Sequence, residues 1–382
     1  MRAIFFEKSV PRVLSTLALK KIWKGSVFSA LSPLHFRKLP EPKVPGPYGL
    51  RVKNRLCGIC ASDLVLVFVD IDPMVHPAAL PGYDRIYLGH EVVSEVVEIG
   101  DKATNVKVGD RVVMKSRFLG PTCPSQGIEE LCPHCVQGNY ALCENQSAGE
   151  GTPGEGGGWG DGYTCHESEV WKVPDGLDDE SAVLVEPLAC SVRAVLRRPP
   201  KPKEKVLVIG CGTIGLGTIQ AARAVSPEAE IYALARYPQQ IALAEQYGAK
   251  IIASKDLLDA TAELTSGKVY TGDFNNRTML GGFDVIYDCV GNQSSIQQSL
   301  RATRAGGTIV VVGVNLHRVK VDLTSVWHQE VNLIGTLGHG IEEWEGKSID
   351  TFSLTGQWLL EGKLKPEGFI THRFPLEQWK QA

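Results

Sequence analysis

The stretch "VLVIGCGTIGLGTIQAARA", residues 206–224, constrains the fold more than any other part of this 382-residue chain. A continuous apolar run, expected of a strand buried on both faces, ends in three glycines, Gly210, Gly212 and Gly215, and a helical pattern follows at once. The GxGxxG spacing alone is weak, but at a strand-to-helix turn it reads as a phosphate cradle. Gly210 permits the tight turn, and Gly212 removes the side chain where backbone must approach a pyrophosphate. Gly215 lets helix and strand pack closely, while Thr213 and Ile214 open the helix whose free N–H groups face the phosphates. A turn packed by glycines with no ligand is the competing reading.

Four further apolar runs, "EIYALAR", "KIIAS", "FDVIYDCVG" and "GGTIVVVG", repeat the texture from residue 230 onward. Strands alternating with helices predict an α/β unit with a doubly wound parallel sheet. At the end of the second strand stand Ala235, Arg236 and Tyr237, with no acid to hold a ribose 2′-hydroxyl. Arg236 suits a 2′-phosphate, so NADP(H) is expected over NAD. A solvated arginine beside a cofactor recognised otherwise is the alternative. Val290 and Gly313 follow later strands and are expected at the nicotinamide end.

Residues before about 180 have a different texture, with short β-type runs such as "LRVKNRL", "EVVSEVVEIG" and "DRVVMKS" between Gly and Pro punctuation. A glycine-dense stretch at 149–162 reads as a flexible loop. "MRAIFF" reads as a first strand, and the acid-free segment between Glu7 and Glu41 as an insertion with a short amphipathic helix, "PRVLSTLALKKIW". A transit peptide is the other reading of that basic segment.

The ten cysteines follow no recognisable export signal, which favours metal ligands or buried thiols over disulfides. Cys123, Cys132, Cys135 and Cys143 lie close enough in sequence to close a tetrahedral thiolate cage, a structural zinc site. Disulfides, or His134 in place of Cys123, are the alternatives. Cys57 and Cys60 have no partner pair in ribbon spacing. His90 and Glu91 in "LGHE" and Glu186 in "VEPLA" supply imidazole and carboxylate from remote segments. With a thiolate they could make a three-ligand zinc with an open, catalytic position. Each residue alone is ambiguous.

Together "GICASD", "GHEVVSEVVEIG", "VKVGDRV", "CPHCVQGNYALC", "EPLACSV" and "VLVIGCGTIGLGTIQAA" resemble the zinc-dependent medium-chain dehydrogenases, in the alcohol, polyol, threonine and glucose dehydrogenase branch. The resemblance runs from about residue 40 to the end. It implies a GroES-like β-rich catalytic domain (1–183, with a structural zinc lobe at about 120–145), a Rossmann domain (184–336) and a return to the first domain (337–382). It assigns Cys60, His90 and Glu186 to a catalytic zinc, with Glu186 binding directly or through water. Glu91 is implied as an exchanging or supporting carboxylate, Ser62 as the hydroxyl passing the substrate proton, and Asp63 as the carboxylate orienting the histidine. Cys57 becomes a small buried neighbour. Two zinc ions per chain and a homodimer or homotetramer follow from the same resemblance.

The sequence departs from the family pattern in its N-terminal insertion, in the distance of Cys123 from its trio, and in Val65, which stands where a relay histidine is common. It also ends at "FPLEQWKQA", where the family continues, so a truncated C-terminus is expected. The reading is an NADP(H)- and zinc-dependent oxidoreductase of a secondary alcohol or polyol and its carbonyl partner. Competing readings are a zinc-independent quinone or enone reductase of the same superfold, and a non-enzymatic NADPH-binding protein. A net charge of −3 without a basic stripe gives no sign of nucleic acid, and no apolar run has the length of a membrane span. A cytoplasmic location is expected. Trp159 is a candidate lining residue of the substrate pocket.

Overall fold

The computed structural model describes residues 1–75, 84–115, 121–146, 154–253 and 256–382. The apolar runs after residue 205 form a six-stranded sheet in which every neighbouring pair is parallel. Side by side the strands are Lys250–Ile251, Glu230–Leu234, Lys205–Ile209, Phe283–Asp288, Thr303–Val311 and Asn332–Gly335. Numbered by chain order this is 3-2-1-4-5-6, the doubly wound order that opens a ligand crevice at its switch point. Burial of both faces explains the unbroken Val, Ile and Leu runs, with Leu207, Phe283, Ile286 and Ile309 in the core. The edge strand Asn332–Gly335 escaped the sequence reading because it has only four residues, and its apolar pair, Leu333 and Ile334, makes no continuous run like those of the other strands. The helix Thr213–Val225 forms where the pattern placed it and buries Gly215 through Ala222.

The chain divides into two units, one of Pro187–Gly338 with Glu361–Phe369, the other of Met1–Glu186 with His339–Leu360 and Ile370–Ala382. The sheet just described belongs to the former. The latter is built on a five-stranded antiparallel sheet ordered Gly162–His166, Gly49–Cys57, Val92–Ile99, Arg111–Met114 and Val170–Lys172. Leu50, Val52, Val92, Val96 and Val112 fill its core. A second sheet pairs Arg2–Glu7 with Leu34–Lys38 on one side and Arg85–Tyr87 on the other. One feature of register matters for the site. Cys57 pairs with Val92, so residues 58–60, leaving one strand, lie beside residues 90–91, entering the next.

The insertion folds as a helix over Val10–Lys20. The glycine-dense stretch differs from its expectation as a flexible loop. Residues 149–153 lie outside the described ones, but the rest packs tightly, and a Cβ on Gly158 would stand 2.3 Å from Cys57 Sγ. Those glycines admit close backbone approach rather than freedom. At the C-terminal end Trp379 packs edge-on against Phe28 and Phe36. Among the described residues no helix is long and apolar enough to cross a membrane.

Candidate active site and metal centres

Cys60 ends the turn that leaves Gly49–Cys57 and stands at the N-cap of the short helix Ala61–Val67, whose first turn carries Ser62 and Asp63. His90 and Glu91 come immediately before the strand Val92–Ile99. A ligand atom from each of Cys60, His90 and Glu91 lies within 4.8 Å of the others. The gathering depends on Gly58, whose N–H donates to Glu91 O at 2.7 Å and where a Cβ would stand 2.2 Å from Glu91 Oε2.

Hydrogen bonds orient the imidazole. His90 Nδ1 faces Asp63 Oδ1 at 3.5 Å, and that oxygen also accepts from Gly89 N–H at 2.9 Å. Nε2 is thereby left on the side of Ser62 Oγ, 3.5 Å away, and Ser62 Oγ in turn donates to Cys60 Sγ at 3.2 Å. A carboxylate behind one ring nitrogen fixes the tautomer that offers the other to a metal. Asp63 is 2% exposed, and its Oδ2 has no hydrogen-bond partner among the described residues.

The electrostatics are those of a negative pocket. Burial works to lower the His90 pKa, yet hydrogen bonds with Asp63 and Cys60 and the charges of Asp63 and Glu186 raise it well above the ordinary value. Burial raises Glu91, and Asp63 adds to this against the opposing pull of His90. Cys57 is pushed well up by burial and by the charges of Asp63, Glu91 and Glu186. Thiol, imidazole and several carboxyls around one buried point form the donor set and the field that a zinc ion fits. Glu186, 5% exposed at the start of the helix Val185–Arg197, acts on His90 and Cys57 through its charge. It is not in the gathered trio, whose carboxylate is Glu91. This differs from the ligand set implied by the resemblance, Cys60, His90 and Glu186, because the strand register brings Glu91 against Cys60. Trp159 donates its indole N–H to Gly58 O at 3.1 Å, so it holds the turn that carries Cys60.

Cys123, Cys132, Cys135 and Cys143 also have their sulfurs within 4.8 Å of one another, and all four are buried. Cys123 Sγ and Cys143 Sγ are 3.6 Å apart and unbonded. With zinc–sulfur bonds of about 2.3 Å, the sulfurs of a tetrahedral cage lie about 3.8 Å apart. Cys123 Sγ accepts from Cys132 N–H and from Asn145 Nδ2, and Cys132 Sγ from Cys135 N–H, at 3.3–3.5 Å. Despite burial, backbone N–H donors from Glu144 and Cys135 and the neighbouring thiols draw Cys132 down to about 6, while burial pushes Cys135 and Cys143 up. His134 lies instead beside Glu144, at 3.7 Å.

In the other unit, Gly210 adopts φ +87°, and a Cβ on Gly215 would stand 1.8 Å from Gly210 O. A Cβ on Gly212 would meet no protein atom within 4 Å. Protein packing therefore does not demand that glycine, whereas close approach of a pyrophosphate does. No side chain caps the helix Thr213–Val225. Ala235, Arg236 and Tyr237 follow Glu230–Leu234, and Arg236 lies 5.5 Å from the centroid of the Tyr237 ring. Val290 and Gly313 follow their strands and touch through backbone, since a Cβ on Gly313 would stand 2.3 Å from Val290 C. The buried Asp288 carboxylate shapes that turn by accepting from Val290 and Gly291 N–H, both at 3.0 Å. The sequence reading missed this role, although "YDCVGN" places an acid at a strand's end.

Two family models match the chain: "Alcohol dehydrogenase GroES-like domain" over residues 46–175 and "Zinc-binding dehydrogenase" over residues 213–353. L-idonate 5-dehydrogenase of Vitis vinifera is 30% identical over 342 residues, 87% of this chain and 82% of the relative. The crystal structure of 2R,3R-butanediol dehydrogenase from Bacillus subtilis superposes with a TM-score of 0.68 at 28% identity, covering 90% of each chain. A structure from Sinorhizobium meliloti 1021 bound to NADP gives a TM-score of 0.64 at 25% identity, covering 87% of this chain and 86% of that one.

Proposed function

This chain belongs to the family of zinc-binding alcohol dehydrogenases and is an alcohol- or polyol-directed oxidoreductase, and we propose that it moves hydride between NADP(H) and a secondary alcohol bearing a neighbouring hydroxyl. The observation that carries the reading is the meeting of Cys60, His90 and Glu91 around one point, with Ser62 against two of them. The relatives' names support the substrate class, since L-idonate and butanediol both carry vicinal hydroxyls.

In this reading Cys60, His90 and Glu91 hold the catalytic zinc, and Glu186 adds negative charge from beside them. Zinc at such a site polarises a bound oxygen and lowers the pKa of an alcohol. Asp63 keeps the His90 proton on Nδ1, so that Nε2 is free to coordinate. Ser62 Oγ would take the substrate hydroxyl proton while passing its own hydroxyl proton on to solvent. The four-cysteine lobe holds a second, structural zinc. Gly210, Gly212, Thr213, Ile214 and Gly215 receive the pyrophosphate. Arg236, exposed and without an ion-pair partner among the described residues, takes the adenosine 2′-phosphate while Tyr237 supports its guanidinium plane. Val290 and Gly313 border the nicotinamide. A homodimer or homotetramer is the proposed assembly.

The test is a panel of vicinal diols and polyols assayed with each cofactor. NADP should be preferred, and Arg236→Ala should lower kcat/KM for NADP roughly 10- to 100-fold while leaving NAD unchanged. An unaltered enzyme that prefers NAD would remove the assignment of Arg236.

A further inference from the structure

The helix Val10–Lys20 is turned opposite to the usual surface helix. Its cations face the protein: Arg12 donates to Ala30 O and pairs with Glu7, and Lys20 Nζ donates to Phe68 O at 2.8 Å. Three of its apolar residues face outward. Val10, Leu14 and Leu17, on one face at i, i+4 and i+7, are 71%, 61% and 37% exposed, and the chain continues into Ile22 at 91% and Trp23 at 55%. The helix has not been left loose. Val13 and Phe28 pack into a cluster with Leu66 and Val67, and the Phe28 ring meets Phe68 edge-on. A fixed element that spends its cations inward and its leucines outward has a surface made for something apolar.

The charges around that face say what kind. No acid occurs between Glu7 and Glu41. Lys8, Lys21 and Lys24 are exposed, and their ammonium groups have no ion-pair partner among the described residues. Lys21 and Lys24 flank Ile22 and Trp23 directly. Two copies meeting through this face would set like charges against each other. A surface that is apolar beneath and anionic above matches both parts, with leucine side chains among the acyl chains, tryptophan at headgroup depth and lysines on the headgroups.

We propose that the face formed by Val10, Leu14, Leu17, Ile22 and Trp23, with Lys8, Lys21 and Lys24 around it, docks this enzyme reversibly on an anionic phospholipid surface. The full chain is sedimented with vesicles of phosphatidylcholine alone or with about 30% phosphatidylglycerol. Binding is expected only to the anionic vesicles and should weaken when salt is raised from about 0.1 M to about 0.5 M. Lys21→Ala/Lys24→Ala should weaken it about fivefold per lysine. Leu14→Gln/Ile22→Gln should weaken it by about tenfold or more. Dehydrogenase turnover, unchanged in both variants, shows that they are folded. Equal association with neutral vesicles, association with neither, or unaltered binding by the variants would overturn the proposal. So would an oligomer in solution that Leu14→Gln/Ile22→Gln dissociates, which would give the face to a second copy.

Discussion

The two clusters of metal-ligating side chains in the N-terminal unit are assembled in opposite ways. The four-cysteine lobe draws its ligands from residues 123–143, all buried and all sulfur, held by backbone N–H donors and Asn145. The Cys60 cluster draws on segments thirty residues apart in sequence, mixes sulfur, nitrogen and oxygen, and is assembled by one strand pairing, Cys57 with Val92. A closed cage of four thiolates has no position for a substrate and serves the fold. Three mixed ligands with a serine hydroxyl against two of them leave room for chemistry. In the proposed reading a metal in the lobe would replace a core that its short elements cannot build, whereas the other site rests on a sheet that folds around its own valines.

The difference sets the consequences of mutation. Cys60→Ala should leave the fold intact and lower turnover on the order of 10³-fold, because the loss falls on activation of the bound oxygen; steady-state kinetics with circular dichroism measure both. Ser62→Ala should lower kcat roughly 100-fold, the usual reach of a lost proton relay, with little effect on metal content. Gly58→Ala forces a Cβ towards Glu91 Oε2 and should weaken metal binding at that site alone, roughly 10- to 100-fold, as followed by chelator competition. Cys135→Ala reverses the pattern. Limited proteolysis should open residues 121–146 while kcat per folded molecule changes less than about threefold. Asn145→Ala, which removes one donor to Cys123 Sγ, should cost the lobe only about 1 kcal/mol. A variant of the lobe that abolishes turnover without loosening the fold would break the comparison.

The same contrast explains how far the sequence could be read. The lobe and the GxGxxG turn are local, so Cys123 through Cys143 and Gly210 through Gly215 appear where spacing put them. Buried parallel strands announce themselves by unbroken apolar runs, and all five expected ones form. The edge strand Asn332–Gly335 carries no such run and went unseen. The resemblance put Glu186 in the ligand set and Glu91 beside it, whereas the structure gathers Glu91 with Cys60 and His90, because antiparallel register sets the one distance and the start of a helix more than a hundred residues later sets the other. The glycines near residue 158 looked like slack in the chain, since the Cys57 sulfur they admit is remote in sequence.

Zinc counted per chain by elemental analysis tests the central claim most directly. The unaltered protein should carry two ions, and Cys60→Ala/His90→Ala should carry one while remaining folded. Two ions retained in that variant, or a single ion in the unaltered protein, would contradict the account of one structural and one catalytic metal.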